Sequence, residues 1–314
     1  MIVTDESLQK RSLVNFLKAS LRGISQVVLI ENAITGFIFL IAILFFSYSL
    51  AIIAFLSAII GTLTARVGGG DEDAINQGLF GFNSVLTGMA LALFLSGPHQ
   101  WIIALIGAAI AGILTAALTY FTRNSGIPML TFPYIILTWF LLLASYRLKA
   151  FNLRSDLIPQ GLADWKLTVG GDINWLHSFF NGMGQIFFMD NPISGFLLFV
   201  GLFWASWKIG LYAILGTAVT LALAYFLGAD HDLISAGLYG YNAILTIIAV
   251  SKVFNSGHHP LAFISGIVAA CLTVPITASV STWLLPFGVP ALTMPFVLCT
   301  WLFWQQEKSC QSFK

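Results

Sequence analysis

The segment QVVLIENAITGF, Gln26 to Phe37, returns as QIFFMDNPISGF, Gln185 to Phe196. GLFGFNSVLT, Gly78 to Thr87, returns as GLYGYNAILT, Gly237 to Thr246, at the same offset. A third pair, GIPMLTFP (Gly126 to Pro133) and GVPALTMP (Gly288 to Pro295), follows at an offset three residues larger, so one short insertion separates the last elements of the two halves. Matched segments in one order, two of them at constant spacing, mark an internal duplication.

Composition says where the duplicated unit lives. Apolar residues make up 58% of 314 positions and charged residues 9%, with a mean hydropathy of +0.90. Soluble domains carry roughly one-quarter charged residues, so this is a polytopic membrane protein. The N-terminus is polar from Thr4 to Arg11, which is unlike a cleavable signal. The net charge of +1 gives no hint of nucleic acid. Cys271, Cys299 and Cys310 have no metal or CxxC spacing and read as inert thiols. No cofactor is expected, and no paired carboxylate, His cluster or nucleophile motif supports an enzyme.

Apolar stretches fall at about 34–46, 49–65, 75–95, 100–121 and 128–146 in the first half, and at about 193–206, 209–227, 233–250, 260–284 and 289–304 in the second. A shorter apolar piece precedes each set, at about 24–31 and 180–189. Each short piece ends at Asn (Asn32, Asn191) followed by Ala33 or Pro192, which predicts a helix broken inside the membrane. Such a break is tolerated where protein or a wet cavity satisfies the freed backbone groups. Each half therefore reads as five transmembrane helices plus one re-entrant half-helix. Five is odd, so the second copy lies upside down relative to the first, an inverted repeat. With both termini cytoplasmic, most Lys and Arg fall inside, and Arg147, Lys149, Arg154 and Lys166 fall outside in the linker, as the positive-inside rule requires. The expected segments are a cytoplasmic N-terminus at 1–22, a first repeat at 23–148, an external linker at 149–178, a second repeat at 179–304 and a cytoplasmic tail at 305–314.

The membrane interior is almost free of ionisable groups, which ion and proton movers usually retain. Glu31 and Asp190 sit at the half-helix ends, and Asp71, Asp73, Asp230 and Asp232 precede the third crossings; capping and loop-fixing is the expected role for these acids, with a functional role as the alternative. His99, His177, His231, His258 and His259 lie near helix ends. What remains inside is neutral polarity at matched positions: Gln26 with Gln185, Asn83 with Asn242, Thr131 with Thr293. Asn83 and Asn242 suit either a solute path or interhelical hydrogen bonds. Thr131 and Thr293 either satisfy a carbonyl freed by Pro133 and Pro295 or meet near the midplane and line a pore. Phe82 and Tyr241 stand out among many aromatics because each follows a Gly that permits close backbone approach. Phe188 lies beside the second break.

At these residues the chain resembles the urea transporter family, bacterial type. The GxxQ start of each half-helix (Gly23 to Gln26, Gly182 to Gln185), the Asn32–Gly36 and Asn191–Gly195 segments, the GLxGxN segments and the Pro-x-Leu-Thr-x-Pro segments carry the likeness. The resemblance implies a homotrimer in the bacterial inner membrane, with one pore per protomer and passive conduction of urea through a narrow, dry constriction. It implies Gln26 and Gln185 at the mouths, Phe82 and Tyr241 walling slots for planar urea, Leu86 and Leu245 flanking them, and Thr131 and Thr293 in the middle. Leu29 stands where an aromatic wall is expected while Phe188 retains one, and Gln185 stands where an acid is often found, so the two ends are expected to be unequal. Urea needs apolar faces above and below and acceptors along its edge. The alternatives are an ion-coupled secondary transporter of a small polar solute, which needs an ion site, and an aquaporin-type pore. The latter would need two Asn-Pro half-helices, yet the first copy reads Asn32-Ala33.

Overall fold

Long apolar runs with few charges satisfy their backbone groups internally as helices, and the chain is built almost wholly of them. The computed structural model describes residues 5–312 other than 156, 164, 165, 168 and 255–261, with the helical backbone alone at 5–11 and 305–312. The first half comprises α1 (Asp5–Ser25), α2 (Ala33–Phe46), α3 (Tyr48–Val67), α4 (Glu72–Asn76), α5 (Gly81–Phe94), α6 (Gln100–Thr122) and α7 (Phe132–Ala144). The second comprises α8 (Trp175–Gly184), α9 (Pro192–Ala205), α10 (Trp207–Phe226), α11 (His231–Ser235), α12 (Tyr241–Ile248, continued by a π-helical turn Ala249–Val253), α13 (Ala262–Leu284) and α14 (Met294–Ser312). Among the described residues the only strands are β1 (Leu95–Ser96) and β2 (Asn152–Leu153), paired antiparallel.

The duplication carries through to element lengths: α2 and α9 have 14 residues each, α3 and α10 have 20, and α6 and α13 have 23. The three-residue insertion enters between α12 and α13, in a connection that includes residues 255–261, outside the described residues together with His258 and His259.

Among the described residues, four helices qualify as spans by length and composition, α3, α6, α10 and Ala262–Phe287, or six if each bent helix pair is one span. Five crossings per half therefore goes beyond what helix length gives. At 1.5 Å per residue, α5 and α7 reach only about 20 Å, short of a hydrocarbon core of about 30 Å. Helix α5 is buried from Gly81 through Ala92, and α12 is buried throughout. Both run through the protein interior, shielded from lipid by longer helices.

The half-helices differ from the expected short pieces. Helix α1 runs unbroken from Asp5 into a 3-10 turn at Gln26–Val28, and α8 runs into another at Gln185–Phe187. Segment boundaries at 22/23 and 178/179 thus fall inside helices, because polar residues such as Gln9, Lys10 and Lys18 extend a helix as readily as apolar ones. Similarly, α14 continues through Ser312, past the tail boundary at 304/305.

Each half-helix ends at a left-handed residue, Leu29 (φ 62°) or Phe188 (φ 59°). Asn32 then caps α2, its side chain accepting from the Ile34 and Thr35 amides, and Asn191 caps α9 through Ile193 and Ser194. The bend between the two limbs is 74° in both halves. Gly36 and Gly195 allow the limbs to fold together: a Cβ would lie 1.9 Å from Leu21 O and 2.0 Å from Phe180 O, respectively.

The halves are joined by reciprocal contacts. Trp139 Nε1 donates to Pro290 O at 2.9 Å, and Trp301 Nε1 donates to Pro128 O at 2.8 Å. Thr131 Oγ1 and Thr293 Oγ1 hydrogen-bond each other at 2.7 Å between them. Exchange of the halves maps this set onto itself, the pattern of an isologous interface. Helices α2 and α9 also meet, with Thr35 Oγ1 donating to Gly201 O at 3.2 Å and Phe39 lying edge-on to Phe187 at 5.6 Å. The linker ties the ends together as well: β2 pairs with β1 beyond α5, Gln160 N donates to Leu285 O at 3.1 Å, and Tyr146 Oη donates to Phe287 O at 2.9 Å.

Candidate functional site

The centre of the molecule is made where α7 and α14 begin. Pro133 and Pro295 occupy the first turns of these helices, where no backbone donor is required. Neither of these prolines kinks a helix and frees a carbonyl, and the two Thr hydroxyls hydrogen-bond each other. Leu130 (φ 50°) and Leu292 (φ 52°) are left-handed just upstream. Their carbonyls point inward and are claimed by the central helices: Asn83 Nδ2 donates to Leu130 O at 3.3 Å and Asn242 Nδ2 to Leu292 O at 3.5 Å. The two Asn residues therefore act as interhelical links. Asn242 Oδ1 also accepts from Phe296 N at 3.2 Å, whereas Asn83 Oδ1 is buried without a hydrogen-bond partner. Tyr241 adds a donor that Phe82 lacks, its hydroxyl reaching Leu292 O at 2.6 Å.

Gln26 and Gln185 sit at the half-helix ends. Each Nε2 donates at 3.0 Å to a carbonyl of the turn before the central helix, Gln77 O or Ala236 O. The acids beside the breaks are exposed and occupied. Glu31 lies 3.7 Å from Arg22, and Asp190 accepts from Asn181 Nδ2, which also contacts His177 Nδ1 at 3.0 Å.

A cavity of about 300 Å³ opens on the second-half side of this centre. Gln185, Phe188, Tyr241 and Thr293 line it together. Thr131 adjoins it through its bond to Thr293. Gln26, Leu29 and Phe82 take the matching positions in the first half and do not line this cavity. Leu86 and Leu245 are fully buried and are not among its lining residues. Eight of the twelve lining residues were not among the site residues expected from sequence, Phe94, Tyr134 and Arg154 among them. Phe94 meets Phe188 edge-to-face at 5.6 Å. Tyr134 directly follows the Thr-Phe-Pro segment, a position signal that was available. Arg154 comes from the linker and has no repeat partner to draw attention to it.

Helices broken inside an apolar body, meeting at a neutral polar centre beside a cavity, define a multi-pass membrane transport protein. The sequence profile described as Urea transporter matches residues 17–308, and the chain belongs to the urea transporter family. It is similar to Urea transporter 1 of Capra hircus, 29% identical over 309 residues that cover 94% of this chain and 78% of that protein. Urea transporter 1 of Mus musculus is 28% identical with the same coverage, and that of Rattus norvegicus is 27% identical over 302 residues. Membership makes the chain a transporter and not an enzyme.

Proposed function

We propose that the chain conducts urea passively through a pathway along the interface of its two halves, with the second half inverted relative to the first. The carrying observation is the cavity in which Phe188 and Tyr241 supply aromatic surface and Gln185 and Thr293 supply hydrogen-bonding edges, the combination a planar amide needs once it leaves water. In this proposal Gln26 and Gln185 mark the two mouths, Leu29 and Phe188 flank the breaks, Phe82, Leu86, Tyr241 and Leu245 support the slots, and Thr131 with Thr293 forms the narrowest point. A homotrimer embedded in lipid, with cytoplasmic termini and a bacterial inner-membrane address, follows from the family resemblance and from the Lys and Arg distribution. Segments 23–148 and 179–304 serve as the repeats and 149–178 as the external linker.

The ion-coupled alternative is not favoured. Glu31 and Asp190 are its natural ion sites, yet both are exposed and engaged by Arg22 and Asn181. Reconstituted protein in proteoliposomes, followed by stopped-flow light scattering, tests the proposal. Urea flux should follow the urea gradient alone and exceed glycerol and ammonium flux. Accumulation of urea against its gradient under an imposed proton or sodium gradient would overturn it.

A further inference from the structure

Tyr134 and Tyr241 both border the cavity, and in the other half both positions are Phe. Tyr134 follows Thr131-Phe132-Pro133 as Phe296 follows Thr293-Met294-Pro295, and Tyr241 takes the place that Phe82 holds in the first copy. Exchange of the halves thus turns two phenols into two phenyl rings, so hydroxyls collect on one side of the centre. Tyr134 belongs to α7 of the first half, yet its hydroxyl faces the amide and hydroxyl of Thr293 in the second. Thr293 borders the same cavity, which puts the phenol at its deep end, beside the Thr131–Thr293 pair. The donors around the cavity are already committed to different degrees. Tyr241 gives its single hydroxyl hydrogen to Leu292 O at 2.6 Å, Gln185 Nε2 gives one of its two hydrogens to Ala236 O at 3.0 Å, and one Arg154 guanidinium nitrogen reaches Leu93 O at 3.4 Å. An amide N–H can only donate, so toward the Thr293 amide the Tyr134 oxygen is an acceptor and its own hydrogen is directed elsewhere.

We propose that Tyr134 is a specificity-determining residue of this cavity, its phenolic O–H donating to the carbonyl oxygen of a planar amide and so favouring oxygen over sulfur at that place. The inference rests on the urea pathway proposed above. Tyr134 supplies the donor for the solute oxygen, while the amino hydrogens of the solute face the hydroxyl and amide oxygens of Thr293 and Gln185. Sulfur is a weak hydrogen-bond acceptor, so a thiocarbonyl gains little from the same phenol and leaves a buried donor poorly matched, which costs affinity. On the other side of the centre Phe82 and Phe296 carry no hydroxyl, so selection for oxygen is made once per crossing.

Urea flux in proteoliposomes holding the full-length chain, with N-methylurea or thiourea as competitor, tests this in wild type and Y134F. N-methylurea keeps the carbonyl oxygen and is bulkier than urea, so it separates a donor from mere room. Y134F should conduct urea more slowly and need about fivefold more N-methylurea for the same inhibition, the factor that one neutral hydrogen bond contributes, while thiourea inhibits both forms alike. If the hydroxyl only braces Thr293, flux falls with both inhibition constants unchanged; if it only fills space, both competitors bind Y134F more tightly. Either result overturns the proposal. Should Y134F fail to fold, a ring-fluorinated tyrosine introduced at position 134 decides. Fluorination makes the phenol a stronger donor and a weaker acceptor, so N-methylurea should inhibit at lower concentration and thiourea as before. An unchanged N-methylurea constant overturns the inference while leaving urea transport standing, and wild-type liposomes without urea flux overturn both.

Discussion

Thr131 and Thr293 permit a test that separates a conducting centre from mere glue. Each hydroxyl is buried, and each is the other's hydrogen-bond partner at 2.7 Å. Thr131→Val nearly keeps side-chain shape but takes the Thr131 partner from the Thr293 hydroxyl, at a cost of about 1–3 kcal/mol for a buried hydrogen bond lost. Thr293→Val should cost the same. The double variant removes both partners, and such paired removal is close to neutral. A double-mutant cycle on detergent-solubilised protein should therefore show strong non-additivity, with the double variant more stable than either single one. Flux should move the other way if the hydroxyls serve urea. Each single variant keeps one hydroxyl and the double keeps none, so the double should conduct least, by roughly tenfold for each 1.4 kcal/mol of lost hydrogen bonding to the solute. Stopped-flow urea flux per unit of reconstituted protein reads this directly. A double variant that regains wild-type flux along with stability would refute a role for the pair in conduction.

Three further outcomes are expected. Gly36→Ala and Gly195→Ala place a methyl 1.9 and 2.0 Å from Leu21 O and Phe180 O, so each should cost at least about 3 kcal/mol and abolish a monodisperse peak in size-exclusion chromatography. Trp139→Phe and Trp301→Phe each remove an N–H donor from Pro290 O or Pro128 O and should lower stability by about 1–3 kcal/mol, to similar extents, as thermal unfolding will report. Tyr241→Phe makes the second half resemble Phe82 in the first and leaves Asn242 as the remaining donor to Leu292 O, so stability should fall by about 1 kcal/mol and urea competition by thiourea should change.

The repeat was legible because two segments kept one offset, and with it came the equal helices and the meeting of Thr131 with Thr293. Asn32 and Asn191 announced the breaks, since a capping side chain is a local signal. Other features depend on contacts that no local pattern encodes. Helix α1 extends back to Asp5 because polar residues in a helix leave no apolar trace. Pro133 looked like a kink but starts a helix, a difference decided by the left-handed Leu130 before it. Leu86 and Leu245 carry the right chemistry for a slot yet are fully buried away from the cavity lining, whereas Arg154 reaches the lining only because β2 carries the linker there.

The stitched junction of the halves has a mechanical consequence. A carrier that exposes its site alternately to the two sides must let one bundle rock against the other. Here such rocking would break the Trp139, Trp301 and Thr131–Thr293 hydrogen bonds together, and also pull on the linker held at Leu95 and Leu285. Each bond resists by about 1 kcal/mol, and a two-fold arrangement loads all of them at once. The frame is thus braced against the motion a pump requires, which supports the passive path proposed above.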